Sequence, residues 1–342
     1  MNRARTASLM VLMFFTILVS QSAYASLTVF QTYTGNVALS SDGFGSTTDN
    51  GTISADVPVG ATVLNAYLYS ATYDVYNEGV TQSATLNGTP VAFGPPVLNT
   101  ATCCNLTSAR ADVTSIIAPT INGGPGGVYN FTIAETSIED FNHGTDGEAL
   151  VVVYTLPSLP VATVAILDGF SASGGDSASI SFANPLDPTE PGFFAQMGIG
   201  DSFSCCDQES TILVNGNTLT THAGNNDDSA DGFVNNGNLI TVCSFDDPTS
   251  PSLPSYDQDH ECYDLAPFIT AGDTLIALNT NNPSNDDNIF LETFYVSGLA
   301  SVCDTPDCAP PSEAPEPGVL FLLGSGIVVL WVSSRLLRQR SA

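Results

Sequence analysis

Short apolar runs rich in β-branched and aromatic residues recur along the middle of the chain, each closed off by Gly, Asn, Asp or Pro. They fall at Val63–Tyr69, Gly127–Ala134, Ala149–Leu156, Val161–Leu167, Ser177–Phe182, Thr211–Val214, Thr274–Leu278 and Ile289–Val296. None of this middle keeps a capped apolar period of 3.6 residues. The pattern predicts strands throughout and an all-β class.

The runs recur in the same order twice. The first half reads SATLNGTPV (83–91), ADVTSIIAP (111–119), GVYNFTIAE (127–135) and TDGEALVVVYTL (145–156). The second reads STILVNGNTL (210–219), YDLAPFI (263–269), GDTLIALNT (272–280) and NDDNIFLETFYV (285–296). Asn87 matches Asn215, Asp112 matches Asp264, Asp146 matches Asp287 and Tyr154 matches Tyr295, with drifting offsets that loops of unequal length allow. A duplication of an antiparallel sandwich follows: one unit over 26–157, a second over 158–300 with an acidic insert at 222–261, and a linker at 301–313. The succession of an Asn-Gly hairpin, an Asp-led helical turn and a closing strand pair resembles the galactose-binding-like jelly-roll modules that accompany many glycosidases.

The ends differ from the middle. Residues 1–25 carry Arg3 and Arg5, an apolar run from Leu9 to Val19, and Ala23-Tyr24-Ala25, the three parts of a cleaved secretory signal. At the other end Pro315-Glu316-Pro317 precedes an apolar stretch, read as a transmembrane helix over 318–334, and then Arg335, Arg338 and Arg340. This tripartite tail, residues 314–342, resembles the PEP-CTERM sorting signal of Gram-negative bacteria. The resemblance implies processing by the membrane protease-transpeptidase exosortase, an inner-membrane anchor before processing, and a final place at the cell surface or in an exopolysaccharide matrix. The exported part also resembles uncharacterised PEP-CTERM proteins.

Charge sharpens the picture. The chain of 342 residues has six Lys+Arg against 35 Asp+Glu, a formal net charge of -29. Arg110 is the one Lys or Arg between Arg5 and Arg335, and every acid but Glu316 lies within residues 26–314. Nucleic acid and anionic membrane surfaces are thereby excluded as partners. Protein cations cannot pair these carboxylates, so calcium is the cofactor to test. Asp227, Ser229 and Asp231 fall at positions 1, 3 and 5 of a calcium loop with Gly232 at the sharp turn, although Asn238 stands where a bidentate Glu is wanted. Asp286 and Asp287, just before an apolar strand, form a second candidate.

Eight cysteines, Cys103, Cys104, Cys205, Cys206, Cys243, Cys262, Cys303 and Cys308, all lie in the exported part, where disulfides persist. Local bridges 243–262 and 303–308 would leave the adjacent pairs 103/104 and 205/206 to join each other.

Catalytic signals are weak. Gly200-Asp201-Ser202-Phe203 with Asp257 and His260 resembles the blocks of lipolytic GDS hydrolases but lacks their α/β context. Glu139 with Glu148 is a carboxylate pair of unknown separation. Tyr67, Tyr69 and Tyr73 share strand parity, which suits either sugar stacking or core packing. The sequence therefore predicts an exported structural or adhesive protein without catalytic residues. The competing expectation is a carbohydrate-binding module or carbohydrate-active enzyme working on the exopolysaccharide.

Overall fold

The computed structural model describes residues 26–45, 48–74, 76, 80–99, 105–135, 143–172, 174–202, 210–223, 240–247, 261–281 and 289–311, with only the backbone of His143 and His222. The first half contains β1 (Thr28–Gly35), β2 (Val37–Phe44), β3 (Asn50–Val57), β4 (Thr62–Asp74), β5 (Ala84–Leu86), β6 (Thr89–Pro90), β7 (Val97–Leu98), β8 (Thr107–Asp112), the helix α1 (Thr114–Ile121), β9 (Gly127–Glu135) and β10 (His143–Thr155). The second contains β11 (Ala162–Asp168), β12 (Ser177–Phe182), β13 (Ala195–Asp201), β14 (Ser210–Val214), β15 (Asn217–Ala223), β16 (Thr241–Val242), β17 (Cys262–Asp264), a 3-10 turn (Ala266–Phe268), β18 (Leu275–Asn281), β19 (Ile289–Ser297) and β20 (Ala300–Cys303). Among the described residues no helix is long and apolar enough to cross a membrane. The expected signal at 1–25 and sorting tail at 314–342 lie outside them.

The strands build four antiparallel sheets. The first outer sheet runs β3-β9-β5-β6 and the first inner sheet β2-β10-β4-β8-β7. The second inner sheet runs β1-β11-β19-β13-β16, with β17 also on β13, and the second outer sheet β15-β14-β18-β12-β20. Adding nine to each of β2, β3, β4, β5, β6, β8, β9 and β10 gives its counterpart in the second half, in the same order within each sheet. The duplication is thus written in the topology.

Local chemistry repeats with it. Asn87 and Asn215 both have positive φ (49° and 50°) and are each followed by a positive-φ Gly, the two-residue turn that suits strand twist. Asn87 Oδ1 accepts from Thr132 N at 2.9 Å, and Asn215 Oδ1 accepts from Ala277 N at 2.9 Å. The Asp112 carboxylate accepts from Thr114 N and the Asp264 carboxylate from Ala266 N, both at 2.9 Å, opening α1 and the 3-10 turn alike.

Strand register corrects one match. Asp112 pairs with Tyr67, which pairs with Val151; Asp264 pairs with Gln196, which pairs with Tyr295. Val151, not Tyr154, is the counterpart of Tyr295. The unbroken apolar runs Ala149–Tyr154 of β10 and Phe294–Val296 of β19, each beyond a buried Glu, let the sequence slide without an obvious penalty.

Those runs are unbroken because the inner strands are buried on both faces. Leu150, Val152 and Tyr154 of β10 join the core of the first sandwich, whereas Ala149, Val151 and Val153 join a middle core between the two inner sheets. In β11, Ala165 and Leu167 face the second sandwich core, and Val164 and Ile166 the middle one. The layers therefore stack outer–inner–inner–outer around three cores. Burial contributes about 1.5–3 kcal/mol per large apolar side chain, far more than an exposed ion pair. The two sandwiches are packed together, not merely tethered.

Three expectations change here. Tyr67 and Tyr69 are 6% and 1% exposed and belong to the middle core, so this pair packs and does not present a sugar-stacking face. β1, expected within the first sandwich, pairs along its length with β11 of the second, because its apolar side chains find a ready sheet edge there. Residues 301–303, expected as linker, belong to β20 on the outer edge at β12.

Candidate functional site

The inner sheets part at one end of the seam to leave a cleft of about 320 Å³. β2 supplies Ala38, Leu39, Ser40 and Ser41; Asp56 stands at the end of β3, Tyr154 at the end of β10, and Leu159 in the link between the sandwiches. Facing them are Gln196, Met197 and Gly198 of β13, Thr293 and Tyr295 of β19, the stretch Cys243–Asp247, and Cys262 with Tyr263.

The stretch 243–247 bridges the two sandwiches and closes one wall. Cys243 N donates to Ile199 O at 2.9 Å on the second sandwich, and Phe245 N donates to Ser41 O at 2.9 Å on the first. Ser41 Oγ donates to Cys243 O at 2.6 Å and Ser244 Oγ to Asp42 Oδ1 at 3.0 Å. Disulfide Cys243–Cys262 fastens this stretch to β17. Gly198 gives it room: a Cβ there would lie 2.6 Å from Thr293 Oγ1 and 2.9 Å from Cys243 Cβ.

Aromatic rings and carboxylates share the cleft. Tyr263 is fully buried and its hydroxyl donates to Glu261 Oε2 at 2.5 Å. Tyr295 packs against Phe194 with ring centroids 4.4 Å apart. Burial, reinforced by Tyr295 and Asp56, pushes the Tyr154 phenol up to about 12; burial raises Tyr295 as well. Both remain hydroxyl donors at neutral pH. Behind Ser244, burial pushes the Asp42 carboxyl up to about 6 against three hydrogen bonds that favour its charge, from Ser54 N, Ser244 Oγ and Gly43 N. Asp246 adds to the rise.

Among the described residues no Lys or Arg lines the cleft. Arg110 is spent elsewhere on the seam: its guanidinium pairs with Asp168 and lies over the Phe30 ring, 3.2 Å from the centroid. Tyr69 also donates to Asp168, at 3.0 Å.

The structure places the predicted residues unevenly. Bridges Cys243–Cys262 and Cys303–Cys308 are formed; Cys103, Cys104, Cys205 and Cys206 lie outside the described residues. So do Asp227, Ser229, Asp231, Asp286 and Asp287, and Pro315, Glu316, Pro317, Arg335, Arg338 and Arg340. Among the described residues no group of three or more His, Cys, Asp or Glu is placed to hold a metal ion. Ser202 directly follows the antiparallel strand β13 and is 1% exposed, a poor position for a nucleophile; Asp257 and His260 lie outside the described residues. Glu139 does too, while Glu148 is fully buried and accepts from Ser70 Oγ at 3.2 Å.

Sequence reading missed a repeated feature. With Val151 the counterpart of Tyr295, Glu148 is the counterpart of Glu292, and both are buried, at 0% and 3% exposed. A charged residue inside each apolar strand run, GEALVVVY and IFLETFYV, was the available signal.

No protein-family model matches the chain, and no curated protein matches it. Among solved structures, peptide N-glycanase F (PNGase F) aligns over 79% of this chain and all of its own length, at 13% identity and a TM-score of 0.28. A likeness of that size carries no argument about fold or activity.

Proposed function

We propose that this is an exported, exosortase-processed protein of the cell surface or exopolysaccharide matrix, with a structural or adhesive role. The observation that carries the reading is the ordered tail, Pro315-Glu316-Pro317, apolar stretch and terminal arginines, on a chain that opens with a secretory signal pattern. Two disulfides in a body with so few cations agree with life outside the cytoplasm. Two sandwiches packed through a shared core give a stiff, non-swinging module, which suits a matrix component.

The test is to express the full chain in a host with exosortase and in the same host lacking it, then determine the C-terminus of the extracellular product by mass spectrometry. Loss of the arginine cluster only where exosortase is present supports the reading. A secreted product with its tail intact in both hosts defeats it. Co-sedimentation with the host's exopolysaccharide then separates an adhesive role from display alone, and release of sugar from that polymer would replace the structural reading with an enzymatic one.

Calcium belongs to the same proposal, at the acidic stretches holding Asp227, Ser229, Asp231, Asp286 and Asp287. A ligand bound only by the folded state raises the thermal midpoint, so an equal midpoint in calcium and in chelator removes calcium from the proposal.

A further inference from the structure

We infer that the seam cleft is a binding site for uncharged or amino-bearing saccharide units and excludes uronate-type ones. The inference rests on the matrix reading above and gives it a site and a ligand class.

The first ground is shape and surface. A cleft of about 320 Å³ lies at the small end of ligand pockets, about 300–1,000 Å³, and suits one or two sugar rings of a longer polymer. Its walls include the half-buried rings of Tyr295 and Phe245, with the buried Tyr154 behind them, and a sugar ring has an apolar face of matching size with hydroxyls around its edge. The Tyr295 hydroxyl is a donor and the exposed Asp56 carboxylate an acceptor, which together serve a ring edge that both donates and accepts.

The second ground is charge. Between Arg5 and Arg335 the chain has only Arg110, and Arg110 is committed to Asp168. A uronate carboxylate entering the cleft would meet the exposed Asp56 carboxylate in a body that is strongly anionic overall. An uncharged ring meets no such penalty, and an ammonium group is attracted. Selectivity of this kind is electrostatic, so it weakens with salt.

The third ground is rigidity. Ser40 Oγ accepts from Asp56 N at 2.9 Å, Ser244 N donates to Asp247 Oδ2 at 2.9 Å, and the Cys243–Cys262 disulfide anchors the wall between them. The Asp247 carboxylate is thus held by a backbone N–H, and the Asp56 backbone by Ser40, before any ligand arrives, which reduces the ordering cost of binding.

The experiment uses the full chain on an array of neutral, amino-bearing and uronate oligosaccharides of several linkages, at low and high salt. Wild type is expected to bind neutral or amino-bearing probes and to bind uronates at least tenfold more weakly at low salt. Tyr295→Ala should weaken binding about tenfold, whereas Tyr76→Ala, an exposed tyrosine that does not line the cleft, should leave it unchanged. Gln196→Lys places a cation on the exposed side of β13 next to Tyr295 and should strengthen uronate binding several-fold at low salt only; circular dichroism verifies that each variant folds. Uronate binding as tight as neutral binding in wild type overturns the inference. So does glycan binding indifferent to both Tyr295→Ala and Gln196→Lys, a result that leaves the matrix reading standing. Failure to bind any probe, combined with failure to co-sediment with the host exopolysaccharide, removes the cleft assignment and the adhesive role together.

Discussion

Arg110 of the first sandwich and Asp168 of the second form an ion pair across the seam, and Asp168 also accepts from Tyr69. The pair is only partly exposed, with the Arg110 and Asp168 side chains at 31% and 17%, so solvent screens it less than a surface pair. Removing one member leaves the other half-buried charge without its main partner. Arg110→Gln should cost about 2 kcal/mol of stability, discounted from the roughly 3–5 kcal/mol of a fully buried pair. The double change Arg110→Gln with Asp168→Asn should recover part of that loss, as read by chemical denaturation with disulfides intact. Equal loss in the single and double variants would mean the pair is incidental.

Asp42 sets a pH dependence with a definite sign. Its folded pKa of about 6 stands above the ordinary 3.8 because burial disfavours the charge. The folded state therefore holds this proton more tightly than the unfolded one, and the contribution of Asp42 to stability falls as pH rises from about 4 to 6, then levels. The total is at most about 3 kcal/mol, two pH units at roughly 1.4 kcal/mol each. Asp42→Asn should flatten this part of the stability–pH profile relative to wild type. Parallel profiles for the two proteins would assign the slope to other carboxylates.

The paired hairpins predict paired effects. Asn87 and Asn215 each combine a positive φ with a side-chain acceptor for the neighbouring strand. Replacement by Ala strains the turn and removes the bond, for about 1–2 kcal/mol; replacement by Gly keeps the turn and loses only the bond, a smaller cost. The order Ala worse than Gly should hold at both positions in thermal melts. Reversal at either would show that the turn conformation is not what the Asn supplies.

The disulfide at the cleft wall closes a loop with a sequence separation of 19 residues. Replacing Cys243 and Cys262 together by Ser should lower stability by about 3 kcal/mol while leaving the far outer sheet native, since Cys303–Cys308 lies there independently. Hydrogen exchange resolved by segment reads this directly: faster exchange at 243–247 with an unchanged β12 is expected, and uniform acceleration would contradict a local role.

Much of the fold was legible in the sequence, and the reasons differ by element. The Asn-Gly hairpins and Asp-led turns were readable because their chemistry is local: the same side chain that selects the backbone conformation also makes the bond. The strands were readable as apolar runs. Their layering was not, because β10 carries apolar residues on both faces and parity alone does not say which face meets which sheet. Tyr67 and Tyr69 illustrate this: they share a face as expected, but that face meets the second sandwich. The cleft was illegible for a different reason. Ser40, Asp56, Tyr154, Gln196, Phe245 and Tyr295 have no common spacing, and only the packing of two duplicated units brings them together.

β1 belongs to a sheet whose other members are made last. It is the first strand to leave the ribosome, yet its partner β11 begins at Ala162, after the entire first sandwich has been synthesised. As the chain emerges from its N-terminus, β1 stays an unpaired edge while everything up to β10 folds. The long wait is a loop-closure cost that slows completion, and until it ends β11 is equally open to the β1 of a neighbouring molecule. Domain-swapped dimers, formed by exchange of residues 28–35, are the side product this topology favours when many copies fold close together.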